Sequence, residues 1–389
     1  MVTGAFYPEI SGAGLQCRTL INSLKNNNLK FFVLTTAGGP SLRDSGLGID
    51  IFRIYAGNMG FIARLRSALN IIYIFLKIQN KIDIVHIHGF SDKSILIILL
   101  ARAFRKKIIQ KMTSLGEDDP DSIFSRRFGM LKRFFFSRAD VFISVNPVMS
   151  RAFIEAGLPE SRLLTIPNGV DIERFCPPKN LNEKTLLRKE LGLPEDGILI
   201  LFVGFFSKDK GPDILFESFK NLKGRIKEDL FVIFIGATEG RYFEIDANLV
   251  KTIKDGIAKF NMQNTFIFVE STLKIEKYYK ASDIFIFPSL REGLPNALLE
   301  AMSTALSCVS SDLKGVTDYL ISDKKEGLIF APGDIEGLRK AICTLLNDKN
   351  MAEELGRNAR RKILDKFSID KVSRQYQYIY DKLAKDNKC

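Results

Sequence analysis

The sequence is poor in histidine and cysteine, and it has no long apolar run. Its five cysteines are scattered, odd in number and without a C-x-x-C pair, which argues against a disulfide framework or a structural zinc site and fits a reducing cytoplasm. The most apolar segments, residues 71–76 and 95–101, are far shorter than the ~18 residues that a membrane-spanning helix needs. The chain does not open with a basic start followed by an apolar stretch, so we expect no secretory signal and a cytoplasmic protein.

The chain does contain enough apolar residues for two cores, and its charge is uneven. At 389 residues, of which 46% are hydrophobic, it is long enough for two globular domains. Residues 1–170 hold 22 Lys and Arg against 12 Asp and Glu, whereas residues 171–389 hold 35 against 33. The basic first half predicts that one domain meets an anionic surface or ligand, and nucleic acid and anionic lipid headgroups are both candidates.

Short β-branched runs alternate with longer amphipathic stretches, which is the pattern of a parallel sheet wound with helices. The fold class that this pattern predicts is α/β, with two doubly wound, Rossmann-like domains. The predicted strands are residues 31–35, 50–54, 82–88, 107–113, 141–145, 163–166, 198–203, 230–235, 266–269 and 284–288. The predicted helices include residues 18–26, 61–79, 147–156, 212–222, 295–303, 337–347, 351–367 and 371–384.

A cluster of helix- and strand-breaking residues around 176–180 interrupts this alternation and suggests a domain boundary. We predict a first domain at 1–170, a hinge or linker at 171–197 and a second domain at 198–366. Residues 367–389 are predicted to form a C-terminal helix that packs back toward the first domain. Since only three residues precede Gly4, either the first strand is very short or the sequence as given starts a few residues late.

The strongest candidate site is the segment 287–302, where a strand ends, a glycine turn follows and a helix opens with Pro295 at its first position. Exposed backbone N–H groups and the helix dipole make such a turn an anion site. Glu292 and Glu300 frame it, and carboxylates beside a phosphate site are good acceptors for sugar hydroxyls. Glu300 sits among apolar residues, where an unpaired carboxylate is costly. The predicted anion site uses the N–H groups of Gly293, Leu294, Asn296 and Ala297.

Glu292 and Glu300 match the E-x7-E signature of retaining GT-B glycosyltransferases. The surrounding P-S-x-x-E-G-x-P-x-x-L-L-E-A-M setting resembles glycosyltransferase family 4, and the resemblance extends over nearly the whole chain. It implies that Glu300 holds the nucleotide ribose, that Glu292 lies near the donor sugar, and that the loop between them, including Leu294 and Pro295, wraps the diphosphate and sugar. Where the family usually has a Gly and a Pro, this chain has Ala305-Leu306-Ser307, so we expect a different local loop.

The segment 203–211 forms a second constellation, in which a strand, a flexible turn with lysines and a helix follow one another. It is not a P-loop, because the order is Lys-Gly and no Gly-Lys-Ser/Thr is present. The segment resembles the V-G-R-x-x-x-x-K-G element of the family, whose Arg and Lys neutralise the donor diphosphate. Lys210 matches that lysine, Phe205 stands where the arginine is often found, and Lys208 is a candidate substitute.

His86 and His88 are the only two histidines, and their spacing of two puts them on one face of a strand. No carboxylate or cysteine at recognisable spacing supplies a third metal ligand, so we predict no metal site. His86 is expected to be a core histidine with a satisfied hydrogen bond. His88 lies at the carboxyl edge of the strand, where ligands bind in open α/β sheets, and the resemblance implies that it faces the donor sugar and takes part in catalysis.

Two further segments match the family, and a third departs from it because it lacks a histidine. The glycine loop at 7–14 resembles the P-x-x-G-G loop that lies against the diphosphate, with Gly12 as the second glycine. Residues 167–175 match the P-N-G-V-D-x-x-x-F hinge, in which Asn-Gly is a turn. Ser114 and Glu117 lie where many members carry a further histidine, and an acceptor-side role for either stays open.

These expectations define a metal-independent, retaining glycosyltransferase without a cofactor, whose substrate is a UDP- or GDP-sugar. Lys210, the helix start after Gly293 and the Gly12 loop would supply positive charge to the departing diphosphate. The segments 61–79, 95–107 and 126–136 mix cations with apolar residues such as Ile71 and Phe75, a composition that suits peripheral contact with an anionic membrane. We therefore expect a saccharide or lipid-linked saccharide acceptor, used in polysaccharide synthesis at the inner face of the cytoplasmic membrane.

Two alternatives stay open from the sequence. A nucleotide-sugar epimerase shares the GT-B architecture, but it needs acid and base residues in the cleft and this chain has two histidines. A basic nucleic-acid-binding protein would account for the isoelectric point of about 9.3. No recognisable nucleic-acid-reading motif accompanies that charge, so we expect no nucleic acid partner.

Overall fold

The computed structural model describes residues 1–7, 9, 11–25, 27–36, 42–44, 48–54, 60–220, 229–238 and 245–386. The chain forms two compact units, one of Met1–Gly169 with Ile369–Cys389 and the other of Val170–Ser368. The segment 171–197 lies within the second unit, where it contains a helix, and the C-terminal helix lies within the first unit.

The first unit is a sheet of eight described strands flanked by helices. Its strands are β1 (Val2–Thr3), β2 (Phe32–Thr35), β3 (Leu42–Asp44), β4 (Ile49–Arg53), β5 (Ile84–His88), β6 (Lys107–Lys111), β7 (Val141–Ser144) and β8 (Leu163–Thr165). Its helices are α1 (Gly12–Leu24), α2 (Phe61–Ile78), α3 (Asp92–Ala103), α4 (Pro120–Ser125), α5 (Gly129–Phe136), α6 (Pro147–Glu155) and, from the end of the chain, α15 (Ile369–Lys385).

The strand order of this sheet is β3-β4-β2-β1-β5-β6-β7-β8, and every pair is parallel except β3 with β4. The order reverses between β1 and β5, as in a Rossmann fold. Apolar residues of α1 and α15, such as Leu20 and Tyr376, pack with Ile109 and Ile143 of the sheet. The strand β1 contains two residues, Val2 and Thr3.

The second unit has a sheet of six described strands, all parallel. Its strands are β9 (Ile198–Val203), β10 (Leu230–Ile235), β11 (Phe266–Val269), β12 (Ile284–Phe287), β13 (Ser307–Ser311) and β14 (Leu328–Phe330). Its helices are α7 (Leu181–Glu190), α8 (Pro212–Lys220), α9 (Ala247–Lys259), α10 (Ile275–Ala281), α11 (Asn296–Ser303), α12 (Thr317–Leu320), α13 (Ile335–Asn347) and α14 (Lys349–Lys362), and a π-helical turn at Ile363–Phe367 follows α14.

The order β11-β10-β9-β12-β13-β14 is the Rossmann order 3-2-1-4-5-6 when the strands are counted along the chain. Phe202, Phe206 and Phe234 pack with one another in the core of this unit. The predicted α/β fold class with two doubly wound domains is therefore confirmed, and both sheets carry a topological switch point.

Most predicted elements are found within a few residues of their predicted bounds. Asn146 caps α6 as expected, because its side chain accepts a hydrogen bond from the N–H of Met149 at 2.8 Å and Pro147 follows at the first helical position. The prediction for Pro295 was wrong by one residue, since Pro295 is the N-cap and α11 begins at Asn296. Strands β13 and β14 were missed because Ser307–Ser311 is rich in serine and β14 is only three residues long.

Candidate functional site

The switch point of the second sheet lies between β9 and β12, which are neighbours in the sheet. The loops that follow these two strands, residues 204–211 and 288–295, therefore leave the same edge of the sheet side by side. In open α/β sheets this is the place where ligands bind. The two strongest sequence candidates thus fall at one position of the fold.

The two loops are in direct contact. The backbone N–H of Leu290 donates to the carbonyl of Asp209 at 2.7 Å, and Arg291 forms an ion pair with the Asp209 carboxylate at 2.7 Å. Gly211 has φ of +68°, and a Cβ atom there would lie 2.3 Å from the carbonyl oxygen of Pro288. This approach requires glycine after Lys210, both for its backbone conformation and for the space that it leaves.

Lys210 and Glu292 meet across these loops. Lys210 Nζ lies 2.6 Å from Glu292 Oε1, and the two side chains are 30% and 12% exposed. Ser289 Oγ also donates to Glu292 Oε1 at 3.2 Å. A half-buried ion pair of this kind is less screened by water than one on the surface. The structure therefore brings together two of the three residues predicted to be catalytic.

Lys208 and Phe205 lie in the same loop but make different contacts. Lys208 is 70% exposed, and its Nζ pairs with the carboxylate of Asp213 at 3.2 Å. Phe205 is half-buried. Lys208 therefore forms an ion pair with Asp213, whereas Lys210 forms one with Glu292. The two lysines differ in their partners and in their exposure.

Helix α11 presents its first turn after the loop 288–295. Gly293, Leu294 and Pro295 are buried, whereas Asn296 and Ala297 are half-buried. The first N–H groups of an α-helix have no carbonyl partner within the helix, which is the basis of anion binding at helix starts. The anion site at the N–H groups of Gly293, Leu294, Asn296 and Ala297 stays a prediction.

Glu300 lies in the second turn of α11 and is half-buried. Burial raises the pKa of its carboxyl to about 7, although a hydrogen bond with the Tyr279 side chain and the nearby charge of Arg174 act in the opposite direction. The carboxyl therefore titrates near neutrality and has acceptor capacity for further hydroxyl donors.

In the loop after α11, this chain has Ala305 at the position where the family usually has a glycine. Ala305 has φ of +60°, the left-handed conformation that glycine adopts without strain. The glycine that the family usually has here fits this conformation better than the alanine of this chain. The difference in loop shape that we expected stays a prediction.

The two histidines lie in β5, beside the switch point of the first sheet. His88 is 4% exposed, and its Nε2 lies 3.3 Å from Met1 Sδ. His86 Nδ1 lies 2.8 Å from the hydroxyl of Tyr380, so this core histidine has the hydrogen bond that we expected. Burial lowers the pKa of both rings well below the usual histidine value, which keeps both neutral. The catalytic role of His88 stays a prediction.

The glycine loop of the first unit is described in part. Ser11 caps α1 by accepting a hydrogen bond from the N–H of Gly14 at 3.1 Å, and Gly12 is the first residue of the helix. Pro8 and Ile10 lie outside the described residues. The predicted contact of Gly12 with a diphosphate is not tested by these observations.

Sequence reasoning missed the buried charged groups of the first unit, among them Lys111 and Asp118. Lys111 Nζ donates to Asn168 Oδ1 at 3.0 Å, and burial lowers its pKa to about 8. Asp118 accepts hydrogen bonds from the N–H groups of Thr113 and Ser114 and from the Thr113 hydroxyl, and burial raises its pKa to about 6. Asn168, the hydrogen-bond partner of Lys111, belongs to the P-N-G-V-D segment. That motif was the signal in the sequence that could have led to Lys111.

No group of three or more His, Cys, Asp or Glu side chains that could hold a metal ion occurs among the residues that the structure describes. Within the same described part of the chain, no helix has both the length and the hydropathy to cross a membrane.

Solved structures share the fold over nearly the whole chain. HepE of Anabaena in complex with UDP-glucose superposes with a TM-score of 0.78 at 17% identity and covers 98% of both chains. WaaG, a glycosyltransferase involved in lipopolysaccharide biosynthesis, superposes with a TM-score of 0.71 at 14% identity and covers 97% of this chain and 98% of its own. Together with the two Rossmann-ordered sheets, this likeness defines the class: the fold is GT-B.

Two family models then account for most of the sequence. The model for Glycosyltransferase Family 4 matches residues 10–174, and the model for Glycosyl transferases group 1 matches residues 183–362. Both halves of the chain therefore match glycosyltransferase models, and this protein is a glycosyltransferase with the GT-B fold.

Among curated relatives, the UDP-Gal:alpha-D-GlcNAc-diphosphoundecaprenol alpha-1,3-galactosyltransferase of Escherichia coli is 31% identical over 54% of this chain. The match spans about half of that relative, 51% of its length. The lipopolysaccharide core biosynthesis mannosyltransferase LpsB of Rhizobium meliloti is 25% identical over 74% of this chain and 76% of its own length.

Proposed function

We propose that this protein transfers a glycosyl group from a nucleoside diphosphate sugar to a saccharide acceptor, with retention of the anomeric configuration. The observation that carries the proposal is the contact between Lys210 Nζ and Glu292 Oε1 at the switch point of the second sheet. Glu300 follows on α11, so a cation, the start of a helix and two carboxylates occupy one edge of the sheet. That combination suits a ligand with a diphosphate at its centre and hydroxyls at both ends.

Each residue has a defined part in this proposal. Lys210 and residues 293–297, which lead into and open α11, bind the diphosphate, and Glu300 accepts the ribose hydroxyls. Glu292 lies beside the donor sugar. Gly12 and His88 are the site residues that we predict in the first unit. A UDP-sugar is the favoured donor over a GDP-sugar, because HepE was solved with UDP-glucose and the E. coli relative is named for UDP-Gal.

The proposed step breaks the bond between the anomeric carbon and the diphosphate oxygen and forms a bond from that carbon to an acceptor hydroxyl oxygen on the same face. The hydroxyl proton passes to the departing phosphate oxygen, so the electron pair and the proton both end on the diphosphate. Lys210 stabilises the negative charge that grows there. Since a lysine and a helix dipole can supply that charge, we expect the reaction to need no divalent cation.

A donor panel tests the proposal. Hydrolysis of UDP- and GDP-sugars needs no acceptor, and we expect one sugar nucleotide to be cleaved with release of the nucleoside diphosphate, also in excess chelator. Restoration of activity by a divalent cation after chelation would contradict metal independence. Recovery of an epimeric sugar nucleotide, with no release of nucleoside diphosphate, would favour the epimerase alternative.

The acceptor side of the proposal rests on exposed apolar side chains of two helices of the first unit, α2 and α5. Helix α3 contacts both of them. Both helices expose large apolar side chains. These are Phe61, Ile62, Leu65, Leu69, Tyr73 and Leu76 on α2, and Phe128, Met130, Leu131 and Phe134 on or beside α5. Contiguous exposed apolar side chains mark interaction sites.

The structure changes which residues of these helices are available. Ile71 and Phe75, which suggested an interfacial α2, are buried, whereas Leu65, Leu69 and Tyr73 form an exposed stripe at a spacing of four. On α5, Phe136 is buried and Phe134 is exposed, so the three consecutive phenylalanines are not one buried stripe.

Cations accompany the apolar stripe. Arg64, Arg66 and Lys77 are exposed on α2, and Arg126 and Arg127 are exposed before α5. An apolar helix face flanked by cations suits the surface of an anionic bilayer. We propose that the protein sits peripherally on the inner face of the cytoplasmic membrane and acts on a lipid-linked saccharide.

Vesicle sedimentation tests this part. The variant Leu65→Ser/Leu69→Ser/Tyr73→Ser should lose binding to phosphatidylglycerol vesicles while its donor hydrolysis is kept, because none of the proposed donor-site residues is changed. Leu181→Ser/Leu186→Ser is the matched control, since both leucines are exposed on α7. Equal pelleting of all three proteins, or of none, would contradict the membrane proposal. Salt-dependent binding to duplex DNA without sugar nucleotide would instead support the nucleic acid alternative.

A further inference from the structure

The loops after β9 and β12 are electrically balanced where they meet. Residues 204–213 and 288–295 all lie within the part of the chain that the structure describes, and together they hold three cations and three carboxylates. Every one of these cations forms an ion pair with one of these carboxylates. The cations are Lys208, Lys210 and Arg291, and the carboxylates are Asp209, Asp213 and Glu292.

A diphosphate brings negative charge on both of its phosphates to this edge of the sheet. Phosphate oxygens form strong hydrogen bonds with cations, but a cation that a carboxylate already holds must first exchange that partner. The exchange costs little where both partners are exposed to water and more where they are shielded from it. The exposure of the ion pairs therefore indicates which cation is transferred most readily to a phosphate.

The two ion pairs that join the loops differ in exposure. Arg291 and Asp209 lie 2.7 Å apart, and their side chains are 44% and 50% exposed. The pair of Lys210 with Glu292 is more shielded, at 30% and 12%, and Ser289 Oγ donates a further hydrogen bond to Glu292. Opening the pair of Arg291 with Asp209 therefore costs less than opening the pair of Lys210 with Glu292.

The backbone keeps the two loops together whether or not Arg291 stays on Asp209. The N–H of Leu290 donates to the carbonyl oxygen of Asp209 at 2.7 Å. Gly211 approaches the carbonyl oxygen of Pro288 so closely that a Cβ atom would lie 2.3 Å from it. The guanidinium can therefore leave the Asp209 carboxylate without separating the loops.

Arg291 also has the position and the chemistry that suit a phosphate. It is adjacent in the chain to Glu292, and Asp209 is adjacent to Lys210, so the two ion pairs between the loops are neighbours. Lys208 instead pairs within its own segment of the chain, with the start of α8. A planar guanidinium can donate to two phosphate oxygens at once, whereas a lysine acts as a point charge.

We propose that Arg291 binds the diphosphate together with Lys210, and that Asp209 holds Arg291 when no donor is bound and competes with the diphosphate for it. This inference rests on the proposed function, because it takes this edge of the second sheet as the donor site. On binding, the guanidinium N–H groups exchange the carboxylate oxygens of Asp209 for phosphate oxygens, and the carboxylate is left to solvent.

The two partners should then have opposite effects on nucleotide affinity. Arg291→Gln removes a charged donor to the diphosphate and should weaken binding of the nucleoside diphosphate about tenfold. Asp209→Asn removes the competing carboxylate and should strengthen that binding about threefold. A pair that only latched the loops together would be damaged by either substitution, so both variants would bind more weakly.

Isothermal titration calorimetry with UDP and with GDP, at one fixed salt concentration, measures these affinities. The double variant Asp209→Asn/Arg291→Gln should bind as Arg291→Gln does, since the gain from Asp209→Asn requires the arginine. Arg291→Lys keeps the charge without the fork, so its affinity should lie between those of wild type and Arg291→Gln. Arg357→Gln and Glu353→Gln are the matched controls, because each breaks an exposed arginine–carboxylate pair on α14, and neither should change the affinity.

Thermal unfolding at the wild-type temperature shows that each variant is folded, and Arg291→Lys replaces Arg291→Gln in the comparison if the latter is destabilised. Unchanged affinity in the arginine variant, or weaker binding in Asp209→Asn, would overturn the inference. An equal gain from Asp209→Asn with and without Arg291 would also overturn it, because the carboxylate would then act by its own charge alone. If the wild-type protein binds neither UDP nor GDP, the proposed function fails instead.

Discussion

Replacing Lys210 by alanine tests whether the loop after β9 supplies the positive charge that a departing diphosphate requires. The lysine is held 2.6 Å from Glu292, and its side chain is 30% exposed. A charge that is already in place and partly shielded from water does not have to be reorganised as the bond breaks. Its effect should therefore appear in the transition state more than in the bound donor.

The expected magnitude follows from comparable preorganised groups. Loss of one such contact costs about 3–4 kcal/mol, or roughly 10²- to 10³-fold in kcat. The donor KM should change much less, because the start of α11 also binds the diphosphate and does so equally in the ground state and in the transition state. The assay is donor hydrolysis, with the sugar nucleotide that the panel identifies, at saturating and subsaturating concentrations.

Lys208→Ala provides the matched control, because it removes the same charge two residues away. Since Lys208 pairs with Asp213 on the surface, we expect its loss to change kcat by less than about threefold. The double variant Lys210→Ala/Glu292→Gln should be non-additive by about 0.5–3 kcal/mol, as residues in direct contact are. An equal loss in both lysine variants, or an effect of Lys210→Ala on KM alone, would refute the reasoning.

Two further predictions concern α11 and the loop behind it. Glu300→Gln should weaken nucleoside diphosphate affinity by roughly 1.5–3 kcal/mol, because the amide forms a weaker bond with ribose hydroxyls than the carboxylate does, and equilibrium titration of the folded variant with UDP measures this. Ala305→Gly should raise the free energy of unfolding by up to about 1 kcal/mol, since φ at this position is +60°. Denaturant unfolding checks the second, with Ala301→Gly inside α11 as a control that should instead destabilise by about 1 kcal/mol.

The local pattern of the chain was enough to predict most helices and strands and the α/β class. Alternating apolar strands and amphipathic helices leave few arrangements other than a wound parallel sheet. Two of the predicted site segments, 203–211 and 287–302, follow strands that the topology makes neighbours, so their meeting was implied by their position after β9 and β12.

Which cation each carboxylate contacts was not readable from the chain. Lys208 and Lys210 are two residues apart and alike in sequence context, yet one pairs with Asp213 and the other with Glu292. The turn Lys208–Lys210 and the close approach of Gly211 to Pro288 decide this, and both depend on how the two loops pack.

The exposed face of α2 was also decided by packing. A sequence of mixed cations and apolar residues shows that the helix has two apolar sides, but not which side the sheet covers. The structure buries Ile71 and Phe75 and leaves Leu65, Leu69 and Tyr73 exposed, the opposite of what the composition alone suggested.

The sequence by itself determined the family signature, the Rossmann-like alternation and the identity of the charged residues, because these depend on residue type and local spacing. Tertiary structure alone decided the environment of those charges. Burial raises the pKa of Glu300 to about 7 and that of Asp118 to about 6, and it lowers that of Lys111 to about 8. Desolvation and hydrogen-bond partners come from residues far apart in the chain, such as Tyr279 and Asn168, so no local pattern contains them.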